Sequence, residues 1–231
     1  GDCLIVKHTQ KYINNNEKTV VIIKNNEVPE NYKLDLIKLG YIDKEISQER
    51  LEILARIIGA NITDGHIHLT NKYYEAQFSL GENEDVYDMV DDIMRLGFGS
   101  PCVGRQTTHY KDIKRGKNVE YKTFSVQKNG AFAYLLYKLG AFVGKKTNVA
   151  REVPSWILNS NDRIVREFLS GFQGGDGSKL GAYKRKFGGY AIKLDRTCQT
   201  TIGKYSSETI EYMTSISKLF ARFNIKTKVN Y

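Results

Sequence analysis

Cysteine, proline and tryptophan are scarce in this chain of 231 residues, which contains only three, three and one of them. The cysteines, Cys3, Cys102 and Cys198, are odd in number and show neither a C-x-x-C pair nor another metal-ligand spacing. This pattern argues against a disulfide framework and favours a reducing compartment. No secretion signal is visible, so we expect an intracellular location in the cytoplasm, the nucleus or an organelle.

Long apolar runs and an excess of acidic residues are also missing. No run approaches the roughly 20 apolar residues that a membrane-spanning helix needs, so we expect no membrane partner. The chain has 35 Lys and Arg against 26 Asp and Glu, a formal charge of +9. This charge indicates a polyanionic partner such as nucleic acid, although a merely soluble basic protein has the same composition.

Two stretches of nine residues resemble each other, IIGANITDG at 57–65 and LSGFQGGDG at 169–177. Each follows a charged run with apolar residues at helical spacing, which predicts a helix that ends at the final glycine. We expect Gly65 and Gly177 to supply the left-handed residue that stops each helix. Asp64 and Asp176 then lie in the last turn of two similar helices.

Small residues predict how these two helices meet. They recur at intervals of four along each helix: Gly59, Thr63, Gly171 and Gly175. If the helices pair in parallel through these residues, Asp64 and Asp176 project from the same end, a few ångströms apart. Two carboxylates at that separation repel each other unless a cation or a proton lies between them. A hard divalent cation with oxygen ligands is the usual solution.

The paired stretches resemble the two motifs of LAGLIDADG homing endonucleases. In that family the acidic residue before the final glycine binds metal and is catalytic, which maps onto Asp64 and Asp176. The resemblance implies Mg²⁺ as cofactor, with Mn²⁺ as a substitute. Backbone carbonyls at the helix ends, from Thr63 and Gly175, complete the expected protein ligands. The acid of the sixth motif position is absent from both copies, a departure that leaves the catalytic position intact.

The elements predicted from the first motif onward have the order of the family's repeat. Helix 48–63 is followed by two alternating strands, a helix at 84–96, two further strands and another helix. We therefore expect an α+β fold of two pseudo-symmetric αββαββα repeats. These repeats would form a saddle of antiparallel sheets over DNA, with the motif helices packed at the centre.

The chain divides into four predicted segments. Residues 1–45 form an N-terminal hairpin or accessory segment, 46–143 the first repeat, 144–160 a linker and 161–231 the second repeat. The second repeat would end in one strand at 224–231 and lack the family's last strand and helix. Either the sequence ends before these elements, or the N-terminal hairpin fills the gap as a permuted element. Otherwise the hairpin is a remnant of a host domain or an accessory DNA contact.

The linker resembles a segment of intein-borne family members, with a basic residue before Ser or Thr and a later Val-Pro. In those relatives the lysine reaches the scissile phosphate, and Lys146, which precedes Thr147, is the match. Lys145 is the close second. The alternative is that both are solvated linker lysines. An intein origin is a further hypothesis that rests on this linker and on the N-terminal segment.

Alternating polar residues on the predicted strands are candidates for contacts with DNA, because a β-ribbon fits the major groove. They are Arg105, Thr107, His109, Lys122, Lys179, Tyr183, Arg185, Lys193, Thr197 and Gln199. The two halves differ outside the motifs, so a monomer would read a long asymmetric site in double-stranded DNA. His66 and His68 share one strand face and are interpreted as surface histidines or DNA contacts.

The sequence therefore predicts a site-specific endonuclease that hydrolyses phosphodiesters in double-stranded DNA. The resemblance implies cleavage of both strands across the minor groove with 3′ overhangs. Two alternatives stay open: a relative that only binds, as an RNA maturase or a decayed endonuclease, and a structural module that binds no nucleic acid.

Overall fold

The computed structural model of the protein describes residues 17–70, 73–112, 117–176, 181–184, 189–193, 199 and 201–230. The α-helices in these ranges are α1 (Glu30–Lys38), α2 (Gln48–Thr63), α3 (Asn83–Arg95), α4 (Ala131–Lys138), α5 (Ser155–Leu158), α6 (Asp162–Asp176) and α7 (Ser206–Ala221). The strands are β1 (Gly65–Leu69), β2 (Tyr74–Leu80), β3 (Cys102–Asp112), β4 (Lys117–Asn129), β5 (Gly181–Lys184) and β6 (Tyr190–Lys193). All paired strands are antiparallel. The predicted α+β class is confirmed.

The elements from α2 to α4 follow the predicted order of helix, two strands, helix, two strands and helix. Their four strands form one sheet in the order β1-β2-β4-β3. The helices cover one face of this sheet, where Ile67, Phe78 and Val126 are completely buried. Alternation along β1 and β2 explains this burial, because every second side chain points to the same face.

The helices α2 and α6 pack against each other in parallel, and glycine makes their close approach possible. A Cβ atom at Gly59 would lie 2.2 Å from the carbonyl oxygen of Phe168. A Cβ atom at Gly171 would lie 2.0 Å from the carbonyl oxygen of Arg56. Backbone meets backbone at both points, so any larger side chain must push the helices apart. The pairing predicted from the small residues is confirmed.

Polar side chains fix the register of the two helices away from their acidic ends. Gln48 of α2 and Asn161, which precedes α6, exchange amide hydrogen bonds of 3.1 and 3.3 Å. Further along, the Arg56 guanidinium donates to Glu167 of α6 and, in a forked pair of 2.5 and 2.8 Å, to Asp92 of α3. Burial raises the pKa of the Asp92 carboxyl, while the two bonds from Arg56 favour its ionised form.

Gly65 has a different role from the one predicted. Its backbone is outside the left-handed region, and Asp64 ends α2 with φ −102° and ψ −5°. A Cβ atom at Gly65 would instead lie 2.7 Å from the Asn61 Cα atom and 2.7 Å from a Phe78 ring carbon. The glycine is needed because β1 leaves the helix directly over the core. The expected left-handed stop is wrong for Gly65, and Gly177 lies outside the described residues.

The second repeat differs more from expectation. Its ribbon is present in part, with Gly181 opposite Lys193 and Lys184 opposite Tyr190. The strand expected at 224–231 is wrong for the described residues, because 225–230 are not in a strand. This segment lies beside α7, where the hydroxyls of Ser217 and Thr227 are 2.6 Å apart. No strand in the described part of the chain offers it a ladder of hydrogen bonds.

The N-terminal segment, as far as it is described, packs on the first repeat and on the start of α6. Tyr32 stacks on Tyr134 with ring centroids 4.9 Å apart, and the Asn161 backbone N–H donates to Thr19 Oγ1 at 3.1 Å. Ile23 forms an isolated bridge with Ile42, and the predicted first arm of the hairpin lies outside the described residues. In the part of the chain that the structure describes, residues 17–45 form no strand pairing with β5 or β6. Within the described ranges, no helix is both long and apolar enough to cross a bilayer.

Alanine at three glycines of the paired helices tests this packing. Gly59→Ala and Gly171→Ala place a methyl group inside the backbone of the facing helix, and we expect each to lower the free energy of unfolding by about 3 kcal/mol. Gly174 is the matched control, because a Cβ atom there has nothing within 4 Å. Gly174→Ala should raise the free energy of unfolding by about 0.5 kcal/mol, since alanine favours a helix. Urea unfolding measures all three, and equal effects would contradict the packing.

Candidate functional site

The acidic end of the helix pair is the centre of the candidate site. Asp64 ends α2 and Asp176 is the last residue of α6. A Cβ atom at Gly175 would lie 2.7 Å from Asp64 Oδ2 and 2.0 Å from Thr63 Oγ1. The missing side chain at Gly175 thus leaves the space that these two groups occupy. The Asp64 carboxylate lies beside the backbone of α6, one residue before Asp176.

The electrostatics of this end favour a cation. Each helix carries a partial negative charge at its C-terminus, where the last carbonyl groups have no partner inside the helix. Two such ends meet in parallel here, and each of them also carries an aspartate. A carboxylate at a helix C-terminus is unfavourable unless positive charge lies nearby. The arrangement therefore suits a positive ion that is bound by oxygen atoms.

One lysine already lies at this end. The Lys146 ammonium donates a 2.5 Å hydrogen bond to the carbonyl oxygen of Thr63, in the last turn of α2. Lys146 is half-buried and starts a single 3₁₀ turn at 146–148, whereas Lys145 is exposed. The Gly144 N–H donates to the carbonyl oxygen of Ile67 at 2.8 Å, which anchors the loop to β1. The structure places the lysine preferred from sequence next to the acidic end.

An open cavity of about 430 Å³ lies between this loop and β1. Most of its surface is apolar, but four of the residues that line it carry nitrogen groups in their side chains: His66, His68, Lys145 and Lys146, with Gly144 and Thr147 completing the lining. In the described part of the chain, no third His, Cys, Asp or Glu joins the two histidines in a metal-binding cluster. Ammonium and imidazole groups on one wall are suited to an anionic group such as a phosphate.

The sheet of the first repeat has one face that the helices leave open. Directly opposite residues share a face, and the register aligns His66 with Gln77 and Gln77 with Gln127. His68 and Glu75 form the next opposite pair, and the Gln127 amide donates to Glu75 at 2.5 Å. These polar side chains form a continuous surface beside the cavity, where the strands present hydrogen-bonding groups.

Four of the predicted DNA contacts lie on the opposite side of the same sheet. The register pairs Arg105 with Phe124, Thr107 with Lys122 and His109 with Glu120. The four predicted contacts therefore share the face of the sheet on which Val126 is buried. They are exposed all the same. The Arg105 guanidinium lies 5.8 Å from the centroid of the Phe124 ring, and the Lys122 ammonium is 3.0 Å from Glu120. Lys122 lowers the pKa of the Glu120 carboxyl through this contact.

The remaining predicted contacts belong to the second repeat. Lys179, Arg185 and Thr197 lie outside the described residues. Tyr183 lies in β5 and Lys193 in β6, and their backbones pair with Ala191 and Gly181. Gln199 has a partner within the protein, since its amide oxygen accepts a hydrogen bond from Arg151.

Two groups of residues were missed when contacts were chosen from the sequence. The first is the part of the open face on β3 and β4, which includes Gln106 and Thr123. Val126 is buried, so the register between β3 and β4 shows which alternate residues of each strand face the open side. The sequence does not reveal that register. The second is Arg151, which is 2% exposed. No periodicity marks it, because it lies in an irregular linker.

Comparison with known proteins gives partial matches. No protein-family model matches the chain. The replication factor C small subunit of Methanocaldococcus jannaschii is 28% identical over 201 residues, 86% of this chain but 10% of that protein. The tRNA-splicing ligase RtcB of Pyrococcus abyssi is 29% identical over 196 residues, 81% of this chain and 20% of that protein. The RNA polymerase subunit Rpo1N of M. jannaschii is 31% identical over 172 residues, 72% of this chain and 12% of that protein. The chain thus spans a fifth or less of these relatives.

Solved structures of two homing endonucleases are similar at a low level. I-WcaI bound to its DNA recognition sequence has 16% identity and a TM-score of 0.44, covering 91% of this chain and 84% of that chain. I-DmoI in complex with DNA and Mn has 13% identity and a TM-score of 0.45, covering 78% of this chain and 82% of that chain. These values are too low to transfer residue roles.

Alanine at Gly175 tests whether the acidic end binds a cation. The added methyl group must displace Thr63 or Asp64, so we expect Gly175→Ala to weaken Mn²⁺ binding by about 10-fold or more. Gly174→Ala, one residue earlier on an open surface, should leave Mn²⁺ binding unchanged. Titration of free Mn²⁺ by electron paramagnetic resonance measures both. Equal affinity in the two variants would contradict a site at this point.

Proposed function

We propose that the chain is a site-specific endonuclease that hydrolyses phosphodiesters in double-stranded DNA with a divalent cation. The observation that carries this proposal is the contact at Gly175, which brings the Asp64 carboxylate against the last turn of α6, where Asp176 ends the helix. Lys146 reaches the same end of α2 through Thr63. Metal ligands from the two aspartates and the ammonium of Lys146 would together supply the charge stabilisation that assists phosphodiester hydrolysis.

The residues at this point fit Mg²⁺, with Mn²⁺ as a substitute. Asp64 and Asp176 would hold the ion, with backbone carbonyls of Thr63 and Gly175 as further oxygen ligands. The space that a Cβ atom would fill at Gly175 is occupied by Thr63 Oγ1 and Asp64 Oδ2, which brings both oxygens against the backbone of α6. When bound, such an ion supplies an activated water and stabilises charge on the phosphate. Oxygen donors from only a few protein groups suit Mg²⁺, which keeps several of its waters.

The protein's own contribution is positioning and charge. Lys146 carries a fixed positive charge beside the acidic end, where it would stabilise negative charge that develops on a phosphate. Lys145 lines the adjacent cavity with His66 and His68. These groups would bind the DNA backbone next to the phosphate that is cleaved. The Thr63 carbonyl already accepts one hydrogen bond from Lys146, so its second lone pair is the one left to face an ion.

The substrate we infer is duplex DNA with a long asymmetric site, bound by a monomer. The formal charge of +9 gives the protein affinity for polyanions. The open face of the sheet from His66 to Gln127 presents groups that can read base edges. We propose it as the surface that reads base edges. Arg105, Thr107, His109 and Lys122, on the opposite side of the sheet, cannot contact the same stretch of duplex. The division into accessory segment, first repeat, linker and second repeat is part of the same proposal.

The comparisons support a further proposal about where such a chain occurs. Relatives named as a replication factor subunit, a tRNA-splicing ligase and an RNA polymerase subunit each match through a tenth to a fifth of their length. One segment of about 200 residues cannot be responsible for three such different activities. We infer that it is a separate unit carried within these proteins, as an intein-borne endonuclease would be.

A cleavage selection tests the function. We expect the chain with Mg²⁺ to cut a discrete subset of a randomised duplex library, and Asp64→Asn or Asp176→Asn to reduce cutting of the recovered duplex by more than about 100-fold. Both variants should still bind that duplex, with affinity that falls as salt rises. Asp88→Asn, on an exposed position of α3, is the matched control and should cut normally.

Two results would overturn the assignment. Full cutting by either aspartate variant would remove the two carboxylates from the reaction. Binding of intron RNA in preference to duplex DNA, with no cutting of the library, would favour a maturase.

A further inference from the structure

Arg151 is a buried charge at the junction of the linker and the second repeat. Only 2% of the residue is exposed. Its Nε and one terminal nitrogen donate to the carbonyl oxygen of Lys146, at 3.1 and 3.0 Å. The other terminal nitrogen donates to the side-chain oxygen of Gln199. Burying a guanidinium costs free energy unless such bonds compensate for the lost hydration. We therefore ask what the buried Arg151 contributes to the protein.

Arg151 donates to the carbonyl oxygen of Lys146, and the ammonium of the same Lys146 lies at the acidic end. Around it, the loop is fixed on two sides. The carbonyl oxygen of Thr147 accepts from the Ile202 N–H at 3.1 Å and from the Thr201 hydroxyl at 3.3 Å. On the other side, the Lys146 side chain reaches Thr63. The 3₁₀ turn at 146–148 is therefore held between the two repeats.

We propose that Arg151, held by Gln199, is a positioning residue that aims the Lys146 ammonium at the acidic end. This inference rests on the proposed function, in which Lys146 stabilises charge on the phosphate. The planar guanidinium reaches the Lys146 carbonyl and Gln199 at the same time, which a lysine at position 151 does not reproduce. Gln199, predicted from sequence as a DNA contact, acts here as the second anchor of Arg151.

The reactivity of Lys146 toward an acylating reagent tests the proposal without DNA. Lys145 is exposed and serves as an internal reference. We expect Lys146 to react about fivefold more slowly than Lys145 in the unchanged chain, because its amine is engaged by Thr63. Arg151→Lys and Gln199→Leu should raise the acylation rate of Lys146 to about that of Lys145. Gln199→Glu keeps an acceptor for Arg151 and should preserve the difference. Tandem mass spectrometry reads both lysines.

Arg222→Lys is the matched control. Arg222 also donates to a backbone carbonyl, that of Ser160 at 2.8 Å, but lies outside the loop. It should leave the Lys146 rate unchanged, which separates positioning from general loosening. An unchanged Lys146 rate in Gln199→Leu and Arg151→Lys would overturn the proposal. Should Arg151→Lys fail to fold, the contrast between Gln199→Leu and Gln199→Glu decides it.

Cutting of the recovered duplex gives a second test. Arg151→Lys should lower the single-turnover rate by about 10- to 100-fold with unchanged affinity for DNA. In a Lys146→Met background, Arg151→Lys should lower the single-turnover rate no further, because Arg151 acts only through the Lys146 ammonium, which is already absent there. A further drop in that background would overturn the positioning role. If the unchanged chain cuts no duplex while Lys146 still responds to Arg151, the proposed function fails and the positioning contact stands.

Discussion

Everything at the candidate site depends on how closely α2 and α6 approach each other. Gly59 and Gly171 remove the side chains that would keep the two backbones apart, and Gly175 repeats this at the acidic end. The free energy of that contact has to come from packing, because glycine in a helix is otherwise unfavourable. The same packing forces together two helix ends that repel each other electrostatically. Under the proposed function, a cation bound by both ends would offset this repulsion.

Polar contacts supply what close packing alone does not, namely register and asymmetry. The exchange between Gln48 and Asn161 prevents one helix from sliding along the other, which would separate the acidic ends. Arg56 joins α2, α6 and α3 through Glu167 and Asp92. At the other end a single loop brings in the only lysine that, among the described residues, donates to the last turn of α2. Both α2 and α6 end at an aspartate, but the side chains that surround the two ends differ.

The sequence predicted the elements whose signals are local. The bounds of α2 and the parallel pairing with α6 followed from apolar spacing and small residues. The role of Gly65 did not, because its clash with Phe78 depends on where β2 passes over the helix end. The face occupied by Arg105 depends on the register between β3 and β4, which the sequence leaves open. The final segment reads as a strand from its composition, yet a strand forms only where a partner edge exists. Arg151 has no local signal, since its partners are 5 and 48 residues away.

Anomalous diffraction from crystals soaked in Mn²⁺ tests the central claim most directly. The account predicts one manganese peak between the ends of α2 and α6, within about 2.2 Å of a carboxylate oxygen of Asp64 and of Asp176. The peak should be lost in Gly175→Ala crystals. A peak bound by only one of the two aspartates, or carboxylates that point into separate environments with no shared ion, would contradict it.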